Sequence, residues 1–160
     1  MPNNPQNSAN GFRAVKLLSG GCGSFPMFTG ITKSNLSLTP GDALIVLTSG
    51  LLDLALTAST KIVGVCQNKI TAIAATRQNC RFIPAMPNIV FSGKYKTNTA
   101  FVQANVQVVG ISIAGATGAQ LLSTGTVSQV NIVQLEAGSI LGSNARVLFI
   151  FRTSQWTGQA

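Results

Sequence analysis

The chain has 160 residues, 46% of them hydrophobic and only 9% charged, with 11 Lys and Arg against 3 Asp and Glu, no histidine, and a net charge of +8. So little charge beside so much apolar side chain excludes a disordered chain, and the missing imidazole excludes Ser-His-Asp and Cys-His nucleophilic catalysis. An ordinary soluble domain carries about a quarter charged residues, so this surface fits a protein largely covered by partners, while the positive excess attracts polyanions: nucleic acid, an acidic membrane or an acidic protein shell.

In chain order, residues 1–11 (MPNNPQNSANG) are polar and rich in Pro and Asn. They read as an extended arm and not as a secretory leader. Residues 12–18 (FRAVKLL) are predicted to be a strand with Phe12, Ala14 and Lys16 on one face and Arg13, Val15 and Leu17 on the other, ending in the Gly-rich stretch 19–23. Two short extended pieces follow, at 25–31 and 36–38. Residues 40–67 predict a β-meander: a Pro40-Gly41-Asp42 turn, a strand over 43–47, a turn at 48–50, a strand over 51–56, a break at 57–60 and a strand over 61–67. A helix competes for 51–56, but the run is short and bracketed by Gly50 and Thr57.

The apolar run 70–75 and the polar turn 76–80 lead to Arg81-Phe82-Ile83 and then Pro84-Ala85-Met86-Pro87. Two prolines three apart exclude a central strand and mark a crossover between two modules. Residues 89–91 open the second half, and Lys94-Tyr95-Lys96 predict a hairpin with its charges outward. Over 101–113 (FVQANVQVVGISI) apolar and polar residues alternate with period two, one face buried and one wet. Residues 121–122, 127–135 and 146–151 (RVLFIF) are further strand candidates, and Trp156 lies in a short tail. Helix caps before a 3.6-residue period are scarce. The expected fold is all-β: one or two small antiparallel β-barrels or sandwich modules with an extended N-terminal arm. The expected divisions are 1–27 for the arm and Gly-rich loop, 28–83 and 84–152 for the two modules, and 153–160 for the tail.

The residues offer little for catalysis. The carboxylates are Asp42, Asp53 and Glu136 alone, too few for the tuned pair of a glycosidase. Cys22, Cys66 and Cys80 are odd in number and widely spaced, which is neither a disulfide framework nor a zinc motif, and Cys66 reads as a small buried hydrophobe. Gly20-Gly21-Cys22-Gly23 lacks the lysine of a phosphate loop. No apolar run approaches the roughly 18 residues of a membrane span. The expectation is no enzyme, no metal, no cofactor and no membrane partner. Arg81-Phe82, Lys94-Tyr95-Lys96 and Phe101 offer a nucleic-acid surface as the alternative. Against it, Phe82, Phe91, Phe149 and Phe151 lie inside apolar runs, where packing in the core is the default.

Four segments follow one another along the chain: GFRAVKLLSG at 11–20; Gly41, Asp42, Leu44, Val46, Gly50, Leu51, Ala55, Ile62, Val63, Gly64 and Val65; FIPAMP at 82–87 with Phe91; and LGSNARVLFIF at 141–151. This order resembles the decoration (capsid cement) proteins of tailed bacteriophage heads, over roughly residues 11–152. The chain departs from that pattern in Ala43, where the family often has Pro, in its scarcity of acidic residues, and in its arm and Trp156 tail. The resemblance implies a structural virion protein on the phage head, made in the bacterial cytoplasm. Its partners would be the major capsid protein and itself, as a dimer or trimer; it would stabilise the shell by binding only the assembled form. The residues placed against the shell are Asn10, Phe12, Arg13, Lys16, Lys94, Tyr95 and Lys96. Those placed in the scaffold are Gly41, Asp42, Gly50, Ile62, Gly64 and Val65. The alternatives are a nucleic-acid-binding β-barrel, or another β-rich virion part such as a head-fibre base or tail protein.

Overall fold

Short apolar runs cut by Gly, Pro, Asn and Ser favour strands joined by turns. The computed structural model, which describes residues 11–20, 24–95, 111–125, 127–142 and 144–152, holds eleven strands and no helix among them. They are β1 (Arg13–Leu17), β2 (Phe28–Ile31), β3 (Ala43–Val46), β4 (Leu52–Leu54), β5 (Gly64–Cys66), β6 (Asn79–Pro84), β7 (Ile89–Lys94), β8 (Ile111–Ala114), β9 (Leu121–Thr124), β10 (Val130–Leu135) and β11 (Arg146–Phe151). A six-stranded sheet runs in the order β1-β7-β11-β10-β8-β9 and a five-stranded sheet in the order β2-β6-β5-β3-β4. Every paired ladder is antiparallel. Each sheet bends back on itself: Thr32 bridges Leu52, and Tyr95 bridges Leu122. Single bridges do not close a ladder, so the all-β fold is two antiparallel sheets and neither is a barrel.

The sheets share one core. From the five-stranded sheet and its loops come Ala43, Ala55, Ile62, Val65 and Ile83; from the other come Ile89, Phe91, Ile111, Ile132, Val147, Phe149 and Phe151. Each large side chain withdrawn in this way contributes about 1.5–3 kcal/mol. Phe12 enters the same core, with its ring edge-on to Phe149 at 5.4 Å and to Phe151 at 6.3 Å. A second cluster, including Leu38, Leu44, Leu52, Cys66, Ile70, Cys80 and Phe82, fills the opposite face of the five-stranded sheet. The middle of that sheet is therefore buried on both faces at Ala43 and Leu44, while further along β3 Ile45 is half-buried and Val46 exposed.

The meander expected over 40–67 is not formed. β3 and β4 make the hairpin, with Ile45 opposite Asp53, but β5 pairs with the other edge of β3, Ala43 opposite Val65. The segment between β4 and β5 is a crossover, and its Leu56 and Ser59 carbonyls accept from Gln129 Nε2 on the far sheet. Beyond it, Gly64 packs so closely on β6 that an added Cβ would meet Phe82 Cδ2 at 2.5 Å and collide with the Ile83 carbonyl. Gly64→Ala is expected to destabilise by roughly 2 kcal/mol, as overpacking does. A urea midpoint equal to the wild type's would show that β6 yields there.

A polar seam locks the sheets at one end. Asp42 is fully buried and accepts from Thr39 N at 2.8 Å, from Gly118 N at 2.8 Å and from Thr117 Oγ1. Gln120 Oε1 accepts from Ala43 N at 2.6 Å while its Nε2 donates to Ala55 O at 2.8 Å. Gly41, at φ +101°, lets its backbone lie against Gly11, and Phe12 N donates to Gly41 O at 2.8 Å. That bond seats the start of β1 beside the Pro-Gly-Asp turn.

Candidate interaction face on the six-stranded sheet

Strand pleating sends successive side chains to opposite faces, and cross-strand partners share a face. In β7, Ile89 and Phe91 point into the core and Val90, Ser92 and Lys94 to the opposite side, where Val90 and Ser92 are nonetheless fully buried and Lys94 is half-buried. In β11, Val147, Phe149 and Phe151 point in, so Arg146, Leu148 and Ile150 point out, and Arg152 continues that row. β1 carries a bulge between Ala14 and Lys16. It resets the alternation: Ala14 and Leu17 both pack on the core, while Arg13 lies opposite Ser92 and Lys16 opposite Val90 on the outer face. The register thus collects Arg13, Lys16, Lys94, Arg146 and Arg152 on one face of one sheet.

Glu136, just after β10, is the acid of this face. Its Oε2 accepts from Arg146 Nε at 2.9 Å and from Ser92 Oγ at 2.6 Å, and its Oε1 accepts from Arg13 Nη2 at 2.5 Å. Arg146 also donates from Nη2 to Ser92 Oγ at 2.9 Å. Burial opposes ionisation of Glu136, but the hydrogen bonds from Ser92, Arg13 and Arg146 outweigh it and hold the carboxyl below its ordinary value. The Arg146 side chain is 3% exposed and that of Arg13 63% exposed. One guanidinium is a buried post and the other is an outward-facing cation tethered to it. Lys16 and Lys94 are half-buried and Arg152 is exposed, and among the described residues none of the three has an ion pair.

The chain's other two carboxylates are also engaged. Asp42 holds the polar seam, and Asp53 pairs with Lys33 at 2.7 Å across the edges of the five-stranded sheet. An opening of about 710 Å³ at the mouth of that sheet is lined by Met27, Phe28, Gly30, Val46, Leu52 and Phe82 and by no charged side chain.

The sequence-expected contact residues divide. Arg13, Lys16 and Lys94 come together on the outer face as described. Phe12 and Tyr95 do not present themselves to a partner: Phe12 is 2% exposed and Tyr95 fully buried. Of the hairpin expected at Lys94-Tyr95-Lys96, Lys96 and the residues after it lie outside the described residues; up to there β7 is an inner strand running through Lys94, and Tyr95 N donates to Ala145 O at 2.8 Å. Asn10 and Lys96 lie outside the described residues, as do the arm and most of the alternating run at 101–113. Of the expected scaffold, Ile62 and Val65 are fully buried, Asp42, Gly41 and Gly64 hold the contacts described above, and Gly50, at φ +79°, turns the β3–β4 hairpin. Arg146, Arg152, Glu136 and Ser92 were missed as a group. Only the strand register brings them together, and no local motif carries it. No family model matches the chain, and no curated protein or solved structure matches it.

Proposed function

We propose that this is a structural virion protein that binds the assembled capsid shell of a tailed phage through the outer face of its six-stranded sheet. The observation that supports this is the collection of Arg13, Lys16, Lys94, Arg146 and Arg152 on one sheet face with Glu136 as its one described acid. Five cations less one anion leave that face at +4, half of the chain's +8. A rigid sheet face of this kind fits an acidic protein surface, where complementary charge speeds and orients docking more than it deepens affinity. The resemblance to decoration proteins supplies the class of shell, and the low overall charge fits a chain covered by neighbours, including copies of itself.

Nucleic acid is the competing polyanion, and sequence-tolerant binding of single strands uses exposed aromatic platforms. Phe12, Phe82, Phe91, Tyr95, Phe149 and Phe151 are all buried and Phe25 and Phe28 half-buried, so the described part of the chain lacks such a platform. That weighs toward a protein shell.

The test is a Lys16→Glu, Lys94→Glu, Arg152→Glu triple variant, which spares the Glu136 cluster. It is expected to fold with an unchanged melting temperature, and to lose about tenfold or more of its cosedimentation with emptied shells at low salt. Unchanged cosedimentation would overturn this face as the docking surface. A salt-steep DNA gel shift by the wild type, abolished in the variant, would turn the assignment to nucleic acid.

A further inference from the structure

We propose that Cys66 and Cys80 are a disulfide-forming pair, oxidised by a small-molecule disulfide as the chain folds so that β5 is stapled to β6. The two Sγ atoms lie 3.5 Å apart and both residues are fully buried. They are not register partners: Cys66 faces Phe82 across the ladder, and Cys80 lies two residues further along β6. The ladder ends in a bend at Asn68, whose Oδ1 accepts from Arg81 N at 2.7 Å and whose Nδ2 donates to Asn79 O at 3.3 Å. One side chain thereby clamps β6 on both sides of Cys80 and draws its thiol toward Cys66. A bond requires the sulfurs to close to about 2.05 Å, a shift of roughly 1.5 Å that side-chain rotation and the irregular bend can supply. Around them are Leu38, Leu44, Ile70 and Phe82, and among the described residues no third metal-ligating side chain joins them. The pair's available chemistry is with itself.

One thiol of the pair, as its thiolate, displaces one thiolate from the small disulfide and forms a mixed disulfide. The other thiol then gives up its proton to the solvent and displaces the second thiolate. Two protein thiols are oxidised, one disulfide bond is made in the protein, and one small-molecule disulfide is reduced to two thiols.

The three cysteines fall in different tryptic peptides, Cys22 in 17–33, Cys66 in 62–69 and Cys80 in 78–81. The full chain is refolded in oxidised and reduced glutathione, the free thiols are alkylated, and the digest is read by mass spectrometry. The expected product joins 62–69 to 78–81, in the wild type and in Cys22→Ser alike. Closing the 15-residue span from 66 to 80 is expected to raise the melting temperature of the linked form by about 5 °C or more over the dithiothreitol-reduced form. Peptides 62–69 and 78–81 recovered fully alkylated, a dominant link through Cys22, or a linked form melting below the reduced one would each overturn the proposal.

Discussion

Asp42→Ala is expected to destabilise the protein by roughly 2–4 kcal/mol, because it takes one buried, charged acceptor from three donors at once. The backbone N–H groups of Thr39 and Gly118 each donate to this carboxyl at 2.8 Å, and the Thr117 hydroxyl does so as well. A hydrogen bond to a charged group contributes about 1.5–3 kcal/mol net; Asp42 is fully buried, but Thr39 is half-buried and Thr117 and Gly118 are exposed, so water replaces part of what these donors lose. The loss reaches beyond one loop, since Thr117 and Gly118 belong to the connection between β8 and β9 while Asp42 leads into β3 of the other sheet. Asp42→Asn keeps the shape and one acceptor oxygen but turns the other position into a donor, so it is expected to lie between alanine and wild type. Thr117→Ala removes one donor and its need together and should cost about 1 kcal/mol or less. Urea unfolding at neutral pH measures all three. A cost below about 1 kcal/mol for Asp42→Ala would mean that the seam at Gln120 carries the sheet junction without it.

Asp42 also marks where sequence reasoning stops. Its place in a Pro-Gly-Asp turn is legible, and Thr39 N, three residues away, is the local half of its bonding. The other half comes from residues 75 and 76 positions later, and no local pattern announces so distant a partner. The same division runs through the whole chain. Arg146–Phe151 is readable as a strand to the residue, and Phe82, Phe91, Phe149 and Phe151 are readable as core, because apolar density in a strand-length run reports burial. The Pro84–Pro87 segment is readable as the passage from β6 in one sheet to β7 in the other, but the exclusion of a central strand fails at Pro84, which closes the inner strand β6 opposite Gly64. Phe12 and Tyr95 misled because an aromatic beside a Lys or Arg looks the same whether its ring points to solvent or to the core. The interaction face was hidden by one residue of irregularity: without the bulge after Ala14, Arg13 and Lys16 would fall on opposite sides of β1. Strand partners, unlike strand propensities, are decided by distant sequence, so β5 could be recognised as a strand while its neighbours could not. Gln120 and Gln129, polar residues that alternation sends to the surface, are buried for the same reason, each spanning from one sheet to carbonyls of the other.

Arg146→Met tests the post of the interaction face, with an expected cost of roughly 3–5 kcal/mol at neutral pH. Methionine fills much of the space of the aliphatic stem, so the expected loss is electrical and not one of volume. Glu136 would keep Ser92 and the exposed Arg13 but lose the buried guanidinium at 2.9 Å. The sign of the pH dependence separates charge from packing. In the wild type the folded carboxyl titrates below its ordinary value of 4.5. Its ionised form therefore stabilises the fold above that range, and the contribution is lost as pH falls through the lowered folded value. Without Arg146 the part of that contribution that the buried guanidinium supplies is absent, Ser92 and Arg13 remaining, and protonating Glu136 relieves the loss. The two stability curves should therefore converge on acidification, the gap at acidic pH being smaller than that at neutral pH. Glu136→Gln should flatten the wild type's acid limb by the same reasoning. The double variant Glu136→Leu, Arg146→Met should be more stable than Arg146→Met alone, since it removes both charges in place of stranding one. Equal costs for Arg146→Met at both pH values would assign the residue's contribution to packing. The outward-facing Arg13 would then be held by a surface ion pair worth little, and not by a buried electrostatic post.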